Sequence, residues 1–198
     1  ADLTRDETMS DMASRTLETA PETFALAGLS MGGYVALEIM RMAPERVTHL
    51  ALLDTGARAD TPEQTMRRRD LIALADRGEF KAVSPRLLPL FVHEDRLADP
   101  RLIGEITAMA ESVGKDAFLR QQKAIMGRPD SRPGLPKIGC PTLVICGRQD
   151  ALTPIELSEE IAGLMPGADL VLIDDCGHLA TMERPDAVNA ALRAWLAD

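Results

Sequence analysis

Three side chains, far apart in the chain, have the types that acyl-transfer chemistry uses. Ser30 lies in Gly28-Leu29-Ser30-Met31-Gly32, Asp150 ends Gly147-Arg148-Gln149-Asp150, and His178 ends Asp174-Asp175-Cys176-Gly177-His178. A serine hydroxyl is a weak nucleophile at neutral pH. An imidazole within hydrogen-bond reach can take its proton and later hand it to a leaving group. A carboxylate on the other ring nitrogen fixes the tautomer and stabilises the imidazolium. The order serine, acid, histidine is one of several chain orders that reach this geometry.

Each position has rivals. Asp174 and Asp175 compete for the acid role but are tied to the histidine's own loop, and Asp54 ends an earlier apolar run. His49 falls inside the run VTHLALL and reads as a structural sheet position; His93 falls in a helical block and reads as a surface or lid residue. Cys176 is a possible nucleophile, but it sits on a strand-end loop, and Ser30 already holds the sharper turn.

The elements that must position these groups are legible from periodicity. Phe24-Ala25-Leu26-Ala27 is a short apolar run that fits a buried strand, and Tyr34, Leu37 and Met40 then recur at helical spacing. The join is the G-x-S-x-G pattern of a nucleophile elbow, whose tight turn calls for glycine two residues before and two after the serine. Residues 47–53 read as a buried strand ending at Asp54-Thr55-Gly56, and residues 141–146 and 169–173 as two more. In parallel α/β sheets functional groups gather at the carboxyl ends of strands. That rule places Asp150 and His178 on the sheet edge toward which Ser30 points. Helices are expected over 8–19, from Ser30 to about Pro44, over 154–164 with Thr153 as N-cap, and over 185–196.

Between these parts strand signals vanish. Helical stretches are expected over 62–76, 81–90, 101–113 and 115–126, separated by Gly and Pro. The pattern is an α/β fold with a mostly parallel sheet and an inserted helical lid. It divides the chain into a first core part over 1–56, a lid over 57–139 and a second core part over 140–198. Leu87, Leu88, Phe91, Met109, Phe118 and Met126 are candidates to line an apolar substrate pocket under the lid, or simply to form its core. Arg67-Arg68-Arg69 reads as a solvated helix face or an anion site.

Composition narrows the function. The 198 residues are 45% hydrophobic and only 3% aromatic, so the core is aliphatic. A net charge of −9 would repel a phosphate backbone, which argues against nucleic-acid binding. No apolar run approaches the ~18 residues of a membrane span. Three cysteines without a C-x-x-C pair argue against a disulfide framework or zinc site and for a reducing, cytoplasmic setting. No cofactor or metal is called for. Ala1-Asp2-Leu3 reads like the tail of a strand.

With these residues in hand the sequence resembles the α/β-hydrolase family. The motifs that carry the resemblance are Gly28-Leu29-Ser30-Met31-Gly32-Gly33, Gly147-Arg148-Gln149-Asp150 with Pro154, and Cys176-Gly177-His178-Leu179 with Glu183-Arg184-Pro185. They look like those of the small, lid-bearing bacterial members: carboxylesterases, enol-lactonases, carbon–carbon-bond hydrolases and cofactor-free haloperoxidases. The resemblance implies an eight-stranded sheet with Ser30 after the fifth strand, and an oxyanion hole using the backbone N–H of Met31. The second donor would come from a loop after the third strand, which has no counterpart here. The first three strands and the first helix of the family are absent from this chain. A preceding segment or a partner chain is therefore expected to complete the sheet.

Three functions follow as expectations. The first is a cofactor-free serine hydrolase (an EC 3 enzyme) acting on a small-molecule ester, thioester or lactone through Ser30, His178 and Asp150. The second is a carbon–carbon-bond hydrolase or lyase with the same triad. The third is a non-enzymatic small-molecule receptor of the same fold.

Overall fold

The computed structural model describes residues 1–80 and 83–197. Four strands, β1 (Phe24–Leu29), β2 (Val47–Leu53), β3 (Thr142–Gly147) and β4 (Asp169–Ile173), form one sheet in the order β1-β2-β3-β4. All three pairings are parallel. A strand covered on both faces reads as a continuous apolar run, and in β2 residues 50–53 are all buried. Among the described residues there are four strands, against the eight that the resemblance implies, and residues 1–3 are irregular rather than a strand. β1 stands at the sheet edge with Ala25 and Ala27 exposed.

Helices cover both faces. Helices α1 (Met9–Thr19), α2 (Met31–Met42) and α6 (Ile155–Leu164) pack on one side. There Met12, Ile39, Leu50, Leu52, Val144 and Ile161 form the main core. Helix α8 (Pro185–Trp195), which follows the one-turn α7 (Ala180–Glu183), closes the other side, where Val188 and Trp195 meet Ala51, Leu53, Leu143 and Ile145. His49, on β2, meets the Trp195 ring edge-on at 5.7 Å, the structural sheet position expected of it.

The connection from β2 to β3 carries helices α3 (Pro62–Leu74), α4 (Val83–Phe91) and α5 (Pro100–Met126). Thr61 and Gln64 form a reciprocal capping box at the start of α3, and the Asp99 carboxylate caps α5. The break expected at Gly114 is a kink within α5, with Gly114 at φ 79°. The helix expected over 81–90 begins with two residues outside the described ones. Val92, Leu102 and Ile106 form this segment's own small core. No helix among the described residues is long and apolar enough to cross a membrane.

Register determines which loops meet. Leu29 pairs with Leu53, Leu53 with Ile145, and Gly147 with Ile173. The residues that follow, Ser30, Asp54, Arg148 and Asp174, therefore leave the sheet along one edge. The ladder continues past the strands: Ser30 N donates to Leu53 O at 2.9 Å, Asp54 N to Ile145 O at 2.9 Å, and Arg148 N to Ile173 O at 2.8 Å.

Candidate active site

Ser30 occupies the turn between β1 and α2 with φ 52° and ψ −115°, a backbone conformation that costs energy for a residue with a side chain. The surroundings hold it there. Its carbonyl accepts from Gly33 N at 2.9 Å and from Thr55 Oγ1 at 2.8 Å. A Cβ on Gly28 would lie 2.3 Å from Gly32 O, so this glycine is sterically required. The expectation for the second flanking glycine is corrected: a Cβ on Gly32 would meet nothing within 4 Å. The crowding falls instead on Gly33, where it would come within 2.5 Å of Thr55 Oγ1.

The structure brings Ser30, His178 and Asp150 together. Ser30 Oγ lies 2.7 Å from His178 Nε2, and His178 Nδ1 lies 2.9 Å from Asp150 Oδ2. His178 is 1% exposed and Asp150 4%. Burying a carboxylate is costly unless donors surround it. Asp150 Oδ1 accepts from the backbone N–H groups of Leu152 and Thr153 at 2.8 and 2.9 Å, and Oδ2 accepts from Thr153 Oγ1 at 2.5 Å. The Thr153 hydroxyl gives its proton to Asp150, so its oxygen, 3.2 Å from His178 Nδ1, is a second acceptor for the ring N–H. Together these contacts favour the tautomer with Nδ1 protonated and Nε2 free to accept from Ser30. The N-cap role expected of Thr153 is corrected accordingly. Pro154 occupies that position, without a side-chain cap, and Thr153 serves the acid–histidine pair.

The rivals fall elsewhere. Asp54 accepts from Gly147 N at 2.8 Å and from Ala180 N at 3.2 Å, which ties the end of β3 to the histidine loop. Burial pushes its carboxyl up to about 7. Asp174 pairs with Arg148 on the surface, and Asp175 is exposed. Burial pushes the Cys176 thiol up to about 12, which disfavours the nucleophilic thiolate. The ligand atoms of Asp54, Cys146 and Asp150 lie within 4.8 Å of one another. This set fits a metal poorly: both carboxylates are taken up by the donors just described, and burial pushes the Cys146 thiol up to about 12.

The helical segment grips the histidine loop. Leu179 N donates to Phe91 O at 3.0 Å, and the ring of Phe91, at the end of α4, stacks on His178 with centroids 6.0 Å apart. The buried Glu183 carboxylate joins both parts, accepting from His93 N at 2.7 Å and from Gly177 N at 2.9 Å. His93 itself starts a one-turn helix, with Nδ1 accepting from Asp95 N.

A cavity of about 130 Å³ opens beside Ser30. None of the six residues expected to line an apolar pocket borders it; Tyr34, Leu152 and Leu157 do, together with Arg58, Arg67, Arg68 and Arg128. Leu88 and Phe91 pack in the segment's own core, Leu87 and Met126 are half-buried, Phe118 packs against Phe80 at 5.6 Å, and Met109 is exposed.

A parallel α/β sheet with serine, histidine and aspartate hydrogen-bonded in series at its carboxyl edge defines a hydrolase-type class of site. The chain belongs to the alpha/beta hydrolase family, whose profile matches residues 1–191. It is similar to the structure of a thermophilic esterase from Thermogutta terrifontis solved with malate bound, with 35% identity and a TM-score of 0.89 over 97% of this chain and 73% of that one. It is also similar to the enol-lactonase from Burkholderia xenovorans LB400, with 26% identity and a TM-score of 0.85 over 96% and 74% of the two chains. A 2-hydroxy-6-oxononadienedioate/2-hydroxy-6-oxononatrienedioate hydrolase from Klebsiella pneumoniae is 28% identical over 95% of this chain and 69% of its own length.

Proposed function

We propose that the protein is a cofactor-free serine hydrolase of a small carboxylic ester, thioester or lactone. The observation that carries this reading is the unbroken series Ser30 Oγ, His178 Nε2, His178 Nδ1, Asp150 Oδ2, with links of 2.7 and 2.9 Å. Ser30 Oγ attacks the substrate carbonyl carbon while His178 Nε2 takes the hydroxyl proton. The carbonyl oxygen becomes an oxyanion at the N–H of Met31, the first residue of α2, which has no partner within the helix. Collapse breaks the bond to the leaving group, which takes the proton from His178. Water, deprotonated by the same nitrogen, then attacks the acyl carbon; the bond to Ser30 Oγ breaks, His178 returns the proton to Oγ, and the acid leaves. Asp150 holds the imidazole and stabilises its charged form throughout. A preceding segment or partner chain supplies the second oxyanion donor.

The reading is tested by labelling the full-length protein with a fluorophosphonate. Labelling of the wild type and none of Ser30→Ala is expected; equal labelling of both would remove Ser30 from its role. A second reading, carbon–carbon cleavage by the same triad, is favoured by the Klebsiella relative, a hydrolase whose named 2-hydroxy-6-oxo dicarboxylate substrate contains no ester bond. Turnover of β-diketones without turnover of short p-nitrophenyl esters would select it.

A further inference from the structure

The lining of the Ser30 cavity is basic in a protein whose net charge is −9. Arg58, Arg67, Arg68 and Arg128 border it, and no Asp or Glu among the described residues does. Behind them the charges do not balance. Arg58 is matched by Glu160 through two bonds of 2.8 and 2.9 Å. Arg68 and Arg128, however, share one carboxylate, that of Asp60. The side chains of Asp60 and Arg128 are 1% and 7% exposed, and that of Arg68 is 19%. Two guanidinium groups on one carboxylate leave one positive charge in a largely buried cluster. Arg67, one position before Arg68 on α3, has no carboxylate within 4.0 Å among the described residues.

The guanidinium of Arg128 also lacks a full set of acceptors. Nε donates to Arg58 O at 3.0 Å and Nη1 to Asp60 and to Ile125 O, whereas Nη2 has no protein acceptor among the described residues and is not sealed from solvent. Its guanidinium carbon lies 4.1 Å from the Tyr34 ring centroid, so it is held in place as well as buried. A buried, uncompensated charge costs free energy unless a counter-charge meets it. Guanidinium groups bind carboxylates through two parallel bonds, which makes a carboxylate the matching anion.

From this arrangement we infer that the substrate carries a carboxylate in addition to the bond that is cleaved, and that Arg128, Arg68 and Arg67 bind it. The inference rests on the hydrolase reading for what is cleaved, but not for what is bound. Position 67–69, ambiguous in the sequence between a solvated face and an anion site, thereby divides. Arg67 and Arg68 border the cavity and Arg69 does not.

Calorimetry of glutarate binding in 150 mM sodium chloride (about physiological ionic strength) tests the inference without turnover. Binding is expected to the wild type and to Ser30→Ala, and to weaken about tenfold or more in Arg67→Gln and in Arg128→Met, as for loss of a hydrogen bond to a charged group. Arg128 is buried, so Arg67→Gln, an exposed change, keeps the test decisive should Arg128→Met unfold. Two substrate pairs then locate the charge. Mono-p-nitrophenyl glutarate against p-nitrophenyl valerate places it on the acyl half, and 4-carboxyphenyl butyrate against phenyl butyrate on the alcohol half. In one pair the charged member is expected to have about tenfold higher kcat/KM. The inference is overturned if glutarate does not bind, if it binds both arginine variants like the wild type, or if neither pair shows the preference. Failure of fluorophosphonate labelling with intact glutarate binding would overturn the hydrolase reading alone.

Discussion

On one side of Ser30 the buried carboxylate of Asp150 is met by four donors, three of them neutral and the fourth an imidazole. On the other side the buried carboxylate of Asp60 is met by two guanidinium groups. The first arrangement is complete within the protein and leaves its negative charge directed at one ring nitrogen. The second is over-compensated and leaves a positive charge facing the cavity. In the proposed function the first wall moves a proton, and in the inferred anion site the second receives a charge from outside. The contrast shows how similar ingredients, an acid buried among donors, acquire different chemistry from the charge on the donors.

The comparison can be broken most severely at the first wall. Asp150→Asn keeps the size of the side chain but removes the charge that orients the Nδ1–H of His178. It should lower kcat on the order of 10⁴-fold, as for loss of the equivalent charge in serine proteases, measured with a short p-nitrophenyl ester. Asp54→Asn, which leaves the bond from His178 to Asp150 intact, should cost much less. The opposite ranking would move the acid role to Asp54.

At the second wall the expected effect is on stability. Asp60→Asn leaves Arg68 and Arg128 facing each other without their shared counter-charge. Removing one partner of a buried ion pair costs about 3–5 kcal/mol, to be read as a drop in the urea midpoint. A carboxylate ligand such as glutarate should restore part of that loss if the cavity binds it.

The smallest effect sharpens the description of the first wall. Asp54 is held protonated to about pH 7 in the folded protein by burial, whereas an unfolded aspartate titrates near ~3.9. Between these values the folded state binds the extra proton, so this contribution to stability is full below about pH 4 and is lost as pH rises through about 7. Denaturation at pH 5 and pH 7 should show the wild type losing roughly 2 kcal/mol more than Asp54→Asn across that interval. Parallel profiles would show that Asp54 is ionised throughout.

Much of this was visible in the chain before folding. β2 falls at Val47–Leu53, as its largely apolar run VTHLALL predicts, and the three strand-end motifs lie along one sheet edge because the strands are parallel and each motif follows its strand. What sequence reading missed depends on long-range approach. Thr153 before Pro154 carries an N-cap signal, and only the fold shows its hydroxyl committed to Asp150. Asp60 and Arg128 are 68 residues apart, and nothing periodic links them. The large side chains repeating along α4 and α5 fit either a pocket lining or the segment's own core, and the fold places Leu88 and Phe91 in that core. The available signal is Arg67-Arg68-Arg69, which the sequence leaves between a solvated face and an anion site.

The Glu183 carboxylate, which holds the N–H groups of His93 and Gly177 at once, makes a fulcrum. Its two oxygens grip the helical segment and the loop that carries the imidazole, so neither can shift there without leaving a buried acceptor unsatisfied.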